Sequence, residues 1–154
     1  QCLMLELLSR HDVLMTSVKS AIDEHFREEM LHDYRWECPL ACGCDTAERR
    51  QVMISHPEVL WIQLRRWKWD SVTNVARLLG HRVNIDDVVE VHGVSYKLHS
   101  VVVHLGASPD SGHYVACTRA SAGSGWVVRD DARQTLLSRS ELQDGWAAGG
   151  TGKV

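Results

Sequence analysis

A histidine in Gly112-His113-Tyr114 and two carboxylates in Asp130-Asp131 have the types and spacing of a general base and its orienter. A neutral imidazole with a carboxylate on one ring nitrogen is fixed in its tautomer and made more basic. Its other nitrogen can then take a proton from a thiol or hydroxyl. The residues between read as two strands around a turn: Val115-Ala116-Cys117-Thr118 leads in, residues 120–125 turn, and Trp126-Val127-Val128 leads out. A hairpin centred near Ala122 sets His113 opposite residue 131, to within one residue. The alternation of faces then lets one of the two aspartates meet the ring. A histidine capping a strand in a structural ion pair has the same spacing.

The base needs a nucleophile. Cys117 lies four residues beyond His113 on one strand, about 13 Å away at about 3.3 Å per residue, too far for a thiolate–imidazolium pair. It reads as a small core residue. Cys2 lies in mid-strand, and no serine sits in a Gly-x-Ser-x-Gly elbow. Cys38, Cys42 and Cys44 form one irregular knuckle, whereas a zinc ribbon needs two ligand pairs to close a tetrahedron. An empty, degenerate knuckle is the preferred reading, with zinc the one cofactor the cluster could take and His32 or Cys2 able to complete a site. Arg65-Arg66-Trp67-Lys68-Trp69 interleaves basic and aromatic residues, but it is short and reads as an amphipathic strand end rather than a nucleic-acid platform. His104 reads as a satisfied core histidine.

The elements that must position these groups are mostly strands. An opening strand covers residues 1–8, and Val18, Ala21, Ile22, His25, Phe26 and Met30 form the apolar stripe of a helix over 17–30. Short strands are expected at 34–37 and 51–54, a strong one at 59–67, a turn at 70–74, an extended segment at 82–85 and a strand at 88–91. A long strand over 96–105 places Tyr96, Leu98, Ser100, Val102 and His104 on one face. Residues 106–112 read as a flexible loop delivering His113. Ser138 and Glu141 have capping-box spacing, which predicts a short C-terminal helix. The balance argues an α+β fold with an antiparallel sheet.

Composition sets outer bounds. The 154 residues make one domain or part of one, and 44% hydrophobic with 24% charged residues is ordinary for a globular chain. A net charge of −3 gives no broad footprint for nucleic acid. No apolar run approaches the roughly 18 residues of a membrane span, so no membrane partner is expected. Nothing at the N-terminus has the pattern of a signal peptide. Five cysteines, three of them within seven residues, fit reduced thiols or a metal site better than a disulfide framework, which points to the cytosol or nucleus. The chain opens as a strand in mid-flow and ends in a small-residue tail, 147–154, expected to be flexible. It reads as an excerpt of a longer polypeptide.

Tyr96-Lys97-Leu98-His99-Ser100-Val101-Val102-Val103-His104-Leu105-Gly106, then Gly112-His113-Tyr114-Val115-Ala116, then Trp126 to Asp130-Asp131 together resemble the histidine box of the ubiquitin-specific proteases (ubiquitin carboxyl-terminal hydrolases). Upstream, Pro57-Glu58-Val59-Leu60-Trp61-Ile62-Gln63-Leu64-Arg65-Arg66-Trp67 is similar to that family's Pro-x-x-Leu-x-x-x-Leu-x-Arg-aromatic strand. Phe26-Arg27-Glu28-Glu29-Met30-Leu31 and Tyr34-Arg35-Trp36-Glu37-Cys38 resemble the approach to its second zinc knuckle. The resemblance implies a partial papain-like cysteine peptidase fold, with the palm's antiparallel sheet and part of the fingers. Residues 1–146 would form the C-terminal portion of the catalytic domain. It further implies that His113 is the general base, Asp130 its orienter and Asp131 a supporting carboxylate. Residues 106–112 and 70–79 would be loops over the cleft. Gly106, Gly112 and Tyr114 would contact the tail of ubiquitin, the implied partner, free or attached to proteins.

The family's cysteine box and its first zinc knuckle have no counterpart in the 154 residues, and Cys38-x3-Cys42 replaces the usual two-residue gap. Arg129 stands where an aromatic or apolar residue is usual. Gly145-Trp146-Ala147-Ala148 replaces the usual ending strand. Two functions fit: the base-bearing portion of a thiol-dependent deubiquitinase, inactive alone, or a ubiquitin-binding or scaffold module that lost its cysteine. A third, weaker reading is a small metal-binding interaction domain.

Overall fold

The computed structural model describes residues 2–33, 43–108, 110–121 and 125–146. The expected strand at 34–37, Cys38, Cys42 and the tail at 147–154 lie outside them. In chain order the elements are β1 (Cys2–Glu6), α1 (Val18–His25), β2 (Glu29–Leu31), β3 (Ala47–Arg49), β4 (Trp61–Arg65), β5 (Trp67–Asp70), β6 (Val75–Leu78), β7 (Val88–Val91), β8 (Val94–Lys97), β9 (Ser100–Ser108), β10 (Ser111–Arg119), β11 (Trp126–Asp130), β12 (Arg133–Leu137) and α2 (Arg139–Glu141). A π-helical turn, Leu142–Trp146, continues α2. Sheet-rich with little helix, the chain matches the expected α+β class.

The sheet that carries the site has strand order β12-β11-β10-β9 and is antiparallel throughout. Elsewhere strands pair in twos, and one of these pairs departs from the antiparallel expectation: β1 runs parallel to β4. Other expectations are corrected by tertiary partners. The helix stops at His25: the Phe26 N–H makes a last helical bond to Ile22 O, and the Arg27 N–H then tightens onto Glu24 O at 3.3 Å. Glu29 and Met30 then pair with β3, with Glu29 held between Arg10 and Arg49. The strand at 59–67 breaks at Arg66, whose guanidinium turns to the carbonyls of Leu79 and His81 at 3.1 and 3.0 Å. β4 thus serves β1, and β5 serves β6. The long strand at 96–105 likewise splits at Leu98, whose N–H bonds to Asp87. Residues 51–54 are coil and 82–85 make only an isolated bridge.

Two apolar clusters hold these pieces. One gathers Leu5, Leu7, Val18, Ala21, Ile22, Val83, Ile85, Val89 and Val91 between α1, β1 and β7. The other lies under the four-stranded sheet and consists of Val115, Cys117, Trp126, Val128 and Leu142. Leu98 and Val101 pack against both. α2 is seated by its Ser138–Glu141 capping box, as its spacing predicts. Beyond it, the side-chain carboxamide of Gln143 pairs with backbone as a neighbouring strand would: its Oε1 accepts from Ile85 N–H at 3.1 Å and its Nε2 donates to Val83 O at 3.3 Å.

Candidate active site

Strand parity places the site. On β10, Val115 and Cys117 face the core, and on β11 so do Trp126 and Val128. Cys117 stands directly opposite Val128. Continuing each strand by two residues along the same face brings His113 and Asp130 to the open rim of the buried layer. There His113 Nε2 and Asp130 Oδ1 meet in a hydrogen bond. Asp131 follows in the two-residue turn to β12, in the left-handed region at φ 50°, which Asp tolerates. The ligand atoms of His113, Asp130 and Asp131 all lie within 4.8 Å of one another. Spacing left the choice between the two aspartates open; the face decides it for Asp130.

The electrostatics follow from these contacts. The hydrogen bond to Asp130 lifts the His113 pKa above its ordinary value. The charges of Asp130 and Asp131 add to the rise, and desolvation opposes it. Both partners remain near the surface, with 45% and 40% of their side chains exposed. Because Nε2–H donates to the carboxylate, Nδ1 keeps its lone pair for an incoming proton. The arrangement can therefore hold and move a proton at Nδ1. Cys117, on the same strand, is fully buried, and burial pushes its thiol up to about 11. It is a core residue, as expected, and not a thiolate source.

The other expected site residues divide by face. Tyr114 alternates to the outer face, 65% exposed and opposite His104. Of the expected loop at 106–112, residues 106–108 belong to β9 and 111–112 to β10. Ser111 pairs with Ser108 but His113 with Leu105, so two residues of β9 face one of β10 in a bulge. Gly106 and Gly112 line that bulge, where backbone and side chain come too close for a Cβ. Residues 70–79 also form a hairpin, β5 and β6, turning through Asn74 at φ 55°. Cys44 is exposed. His104, expected to be a satisfied core histidine, is half-buried on the face opposite His113, and its ring lies against Tyr114 with centroids 4.7 Å apart. Pairing Tyr114 with His104 in the hairpin register is the signal that could have found it.

Residues 6–148 match the family model of the ubiquitin carboxyl-terminal hydrolases. The chain is 31% identical over 151 residues to a probable ubiquitin carboxyl-terminal hydrolase creB of Aspergillus clavatus, covering 85% of this chain and 20% of that protein. It is 27% identical over 139 residues to ubiquitin carboxyl-terminal hydrolase 4 of Arabidopsis thaliana, covering 83% and 37%. The chain thus spans about a fifth of the creB relative and over a third of the other. Its backbone superposes on a chain of the SAGA Ubp8/Sgf11/Sus1/Sgf73 DUB module bound to ubiquitin aldehyde with a TM-score of 0.74. That match is at 20% identity and covers 95% of this chain and 34% of that one. A SAGA DUB module bound to monoubiquitin gives 0.76 at 21% identity, covering 95% and 33%.

Proposed function

The chain belongs to the ubiquitin carboxyl-terminal hydrolase family, and from that premise we propose that it supplies the general base and orienting carboxylate for thiol-dependent hydrolysis of the peptide or isopeptide bond at the C-terminus of ubiquitin. The contact between His113 Nε2 and Asp130 at the sheet's open rim carries this reading. Nδ1 of His113 takes the proton of the thiol, and the thiolate adds to the carbonyl carbon. The imidazolium then protonates the leaving amine, and the neutral ring activates the water that cleaves the acyl-enzyme. Asp130 holds the tautomer and stabilises the imidazolium, and Asp131 adds a second negative charge beside it.

In this reading the thiol comes from outside the 154 residues, and residues 1–146 are the C-terminal portion of a catalytic domain, comprising palm sheet and part of the fingers. Residues 147–154 are a tail. Gly106, Gly112 and Tyr114 meet the extended tail of ubiquitin. The ubiquitin-bound state of the neighbouring SAGA modules supports that choice of partner. The free thiols of Cys2 and Cys117 suit a reducing compartment, the cytosol or nucleus.

A second reading, a ubiquitin-binding module without turnover, is favoured by one observation: the thiol on the strand of His113 is buried and protonated. Turnover separates the two. In a polypeptide joining this chain to a cysteine-box segment, His113→Ala should slow release from a fluorogenic ubiquitin C-terminal amide by about 10²–10⁴-fold. Asp130→Asn should slow it less. Unchanged turnover in His113→Ala would remove His113 from the mechanism and leave the binding module.

A further inference from the structure

His113 follows Gly112, the residue at which the β9–β10 ladder slips register. A bulge re-aims the side chain next to it, so whatever fixes the bulge also aims the base. The ring of His104 occupies that place. A Cβ on Gly112 would sit 2.1 Å from His104 Nε2, and one on Gly106 would sit 2.9 Å from His104 Cε1. Non-bonded heavy atoms prefer about 3.5–4.0 Å, so the imidazole fills the space that a side chain at Gly112 would need and, together with the Ser111 carbonyl at 2.5 Å, closes the space over Gly106. Its other neighbour is Tyr114, directly opposite in the ladder, with the rings tilted by 40°. His104, Gly106, Gly112 and Tyr114 thus form one packed group on the outer face, while His113 points to the inner one.

We propose that His104 is a positioning residue for His113: its imidazole fills the notch over Gly106 and Gly112 and pins the bulge from the face opposite the base, keeping the His113 ring within hydrogen-bonding reach of Asp130. The proposal rests on the reading of His113 as the base. Without the ring, Gly112 regains the backbone freedom that glycine has more of than any other residue, and the aim of His113 loosens. Hydrogen bonds weaken steeply with misalignment, so a small change of aim is legible at the imidazole.

The test needs no turnover. Imidazole titrations of this chain are followed by NMR, with His113 assigned by the signal lost in His113→Gln. The charged groups facing His113 are Asp130 and Asp131, with Arg133 opposite Asp130 in the ladder, and none is altered. His104→Ala should move the His113 midpoint down toward the ordinary imidazole value, while His104→Phe, which keeps a ring over the glycines, should leave it raised. A nuclear Overhauser contact between the His104 ring and the Gly112 α-protons should appear in the unaltered chain. Its absence would overturn the proposal even if His104→Ala did not fold. A raised midpoint that persists in a folded His104→Ala, or an equal fall in the Ala and Phe variants, would overturn the role of His104 alone. An ordinary midpoint in the unaltered chain would overturn the pairing with Asp130 as well, and with it the proposed function.

Discussion

Asp130 rather than Asp131 partners His113 because a strand offers one face to every second residue, and only Asp130 shares the parity of Trp126 and Val128. That pairing has a consequence for stability with a definite sign. A folded-state pKa above the unfolded one means that the native chain binds the His113 proton more tightly. The stabilisation is full below the ordinary imidazole pKa and is lost as the pH rises through the raised value. Solvent screens the pair on its exposed rim, so the effect is small. The chain should therefore hold a higher urea midpoint than His113→Gln at pH 5.5, and the difference should vanish by pH 9. A difference that grows with pH would contradict the pair. The participants were legible as residue types at a spacing. Spacing alone did not separate Asp130 from Asp131, and the shared strand face shows why Asp130 meets the ring, while Cys117, already legible as a core residue, is buried as its place on the strand implies.

Elements were legible where local chemistry decides them. Ser138 and Glu141 cap α2 through bonds that span three residues, and β10 pairs with its chain neighbour β11 as the two strand-like runs imply. They were misread where a distant partner outbids local periodicity: Met30 has the spacing of a helix but is claimed by β3, and Arg66 breaks a uniformly β-prone run to reach two carbonyls. The glycines at 106 and 112 suggest a loop to a reader of composition, yet they serve a close approach within a hairpin. Gln143 was invisible for the same reason, since its partners lie about sixty residues upstream. Gln143→Ala would strand the buried N–H of Ile85 and the carbonyl of Val83. An unpaired buried group costs about 1–3 kcal/mol, so a loss in that range is expected from urea unfolding. A change below half of that would show that water replaces the amide.

At the scale of the molecule, the question is why the site's sheet and the helix-bearing cluster act as one. Each has its own buried set, and their common apolar members are Leu98 and Val101 at the β8–β9 junction. Arg119 reinforces the seam: it donates to Leu98 O at 2.7 Å and to Asp87 at 2.8 Å, and its guanidinium lies 4.9 Å from the Trp126 ring centre. Asp87 in turn accepts from Arg139 at 3.2 Å, which brings in α2. The apolar part of this seam is narrow, and Gln143 beside Leu142 adds polar bonds to Ile85 and Val83, so the apolar coupling between the clusters should depend on Leu98 and Val101. Leu98→Ala removes a half-buried side chain, and about 2 kcal/mol is expected, at the low end for such truncations. The larger effect should be on coupling. In the unaltered chain, amides of Leu5 and Leu7 and those of Val115 and Val128 should exchange with one common opening free energy, as members of a single cooperative unit. In Leu98→Ala the two sets should separate, the sheet's amides opening first because its cluster is the smaller. Native-state hydrogen exchange measures both sets at once. Loss of protection in equal steps would show that the clusters are joined by more than this seam.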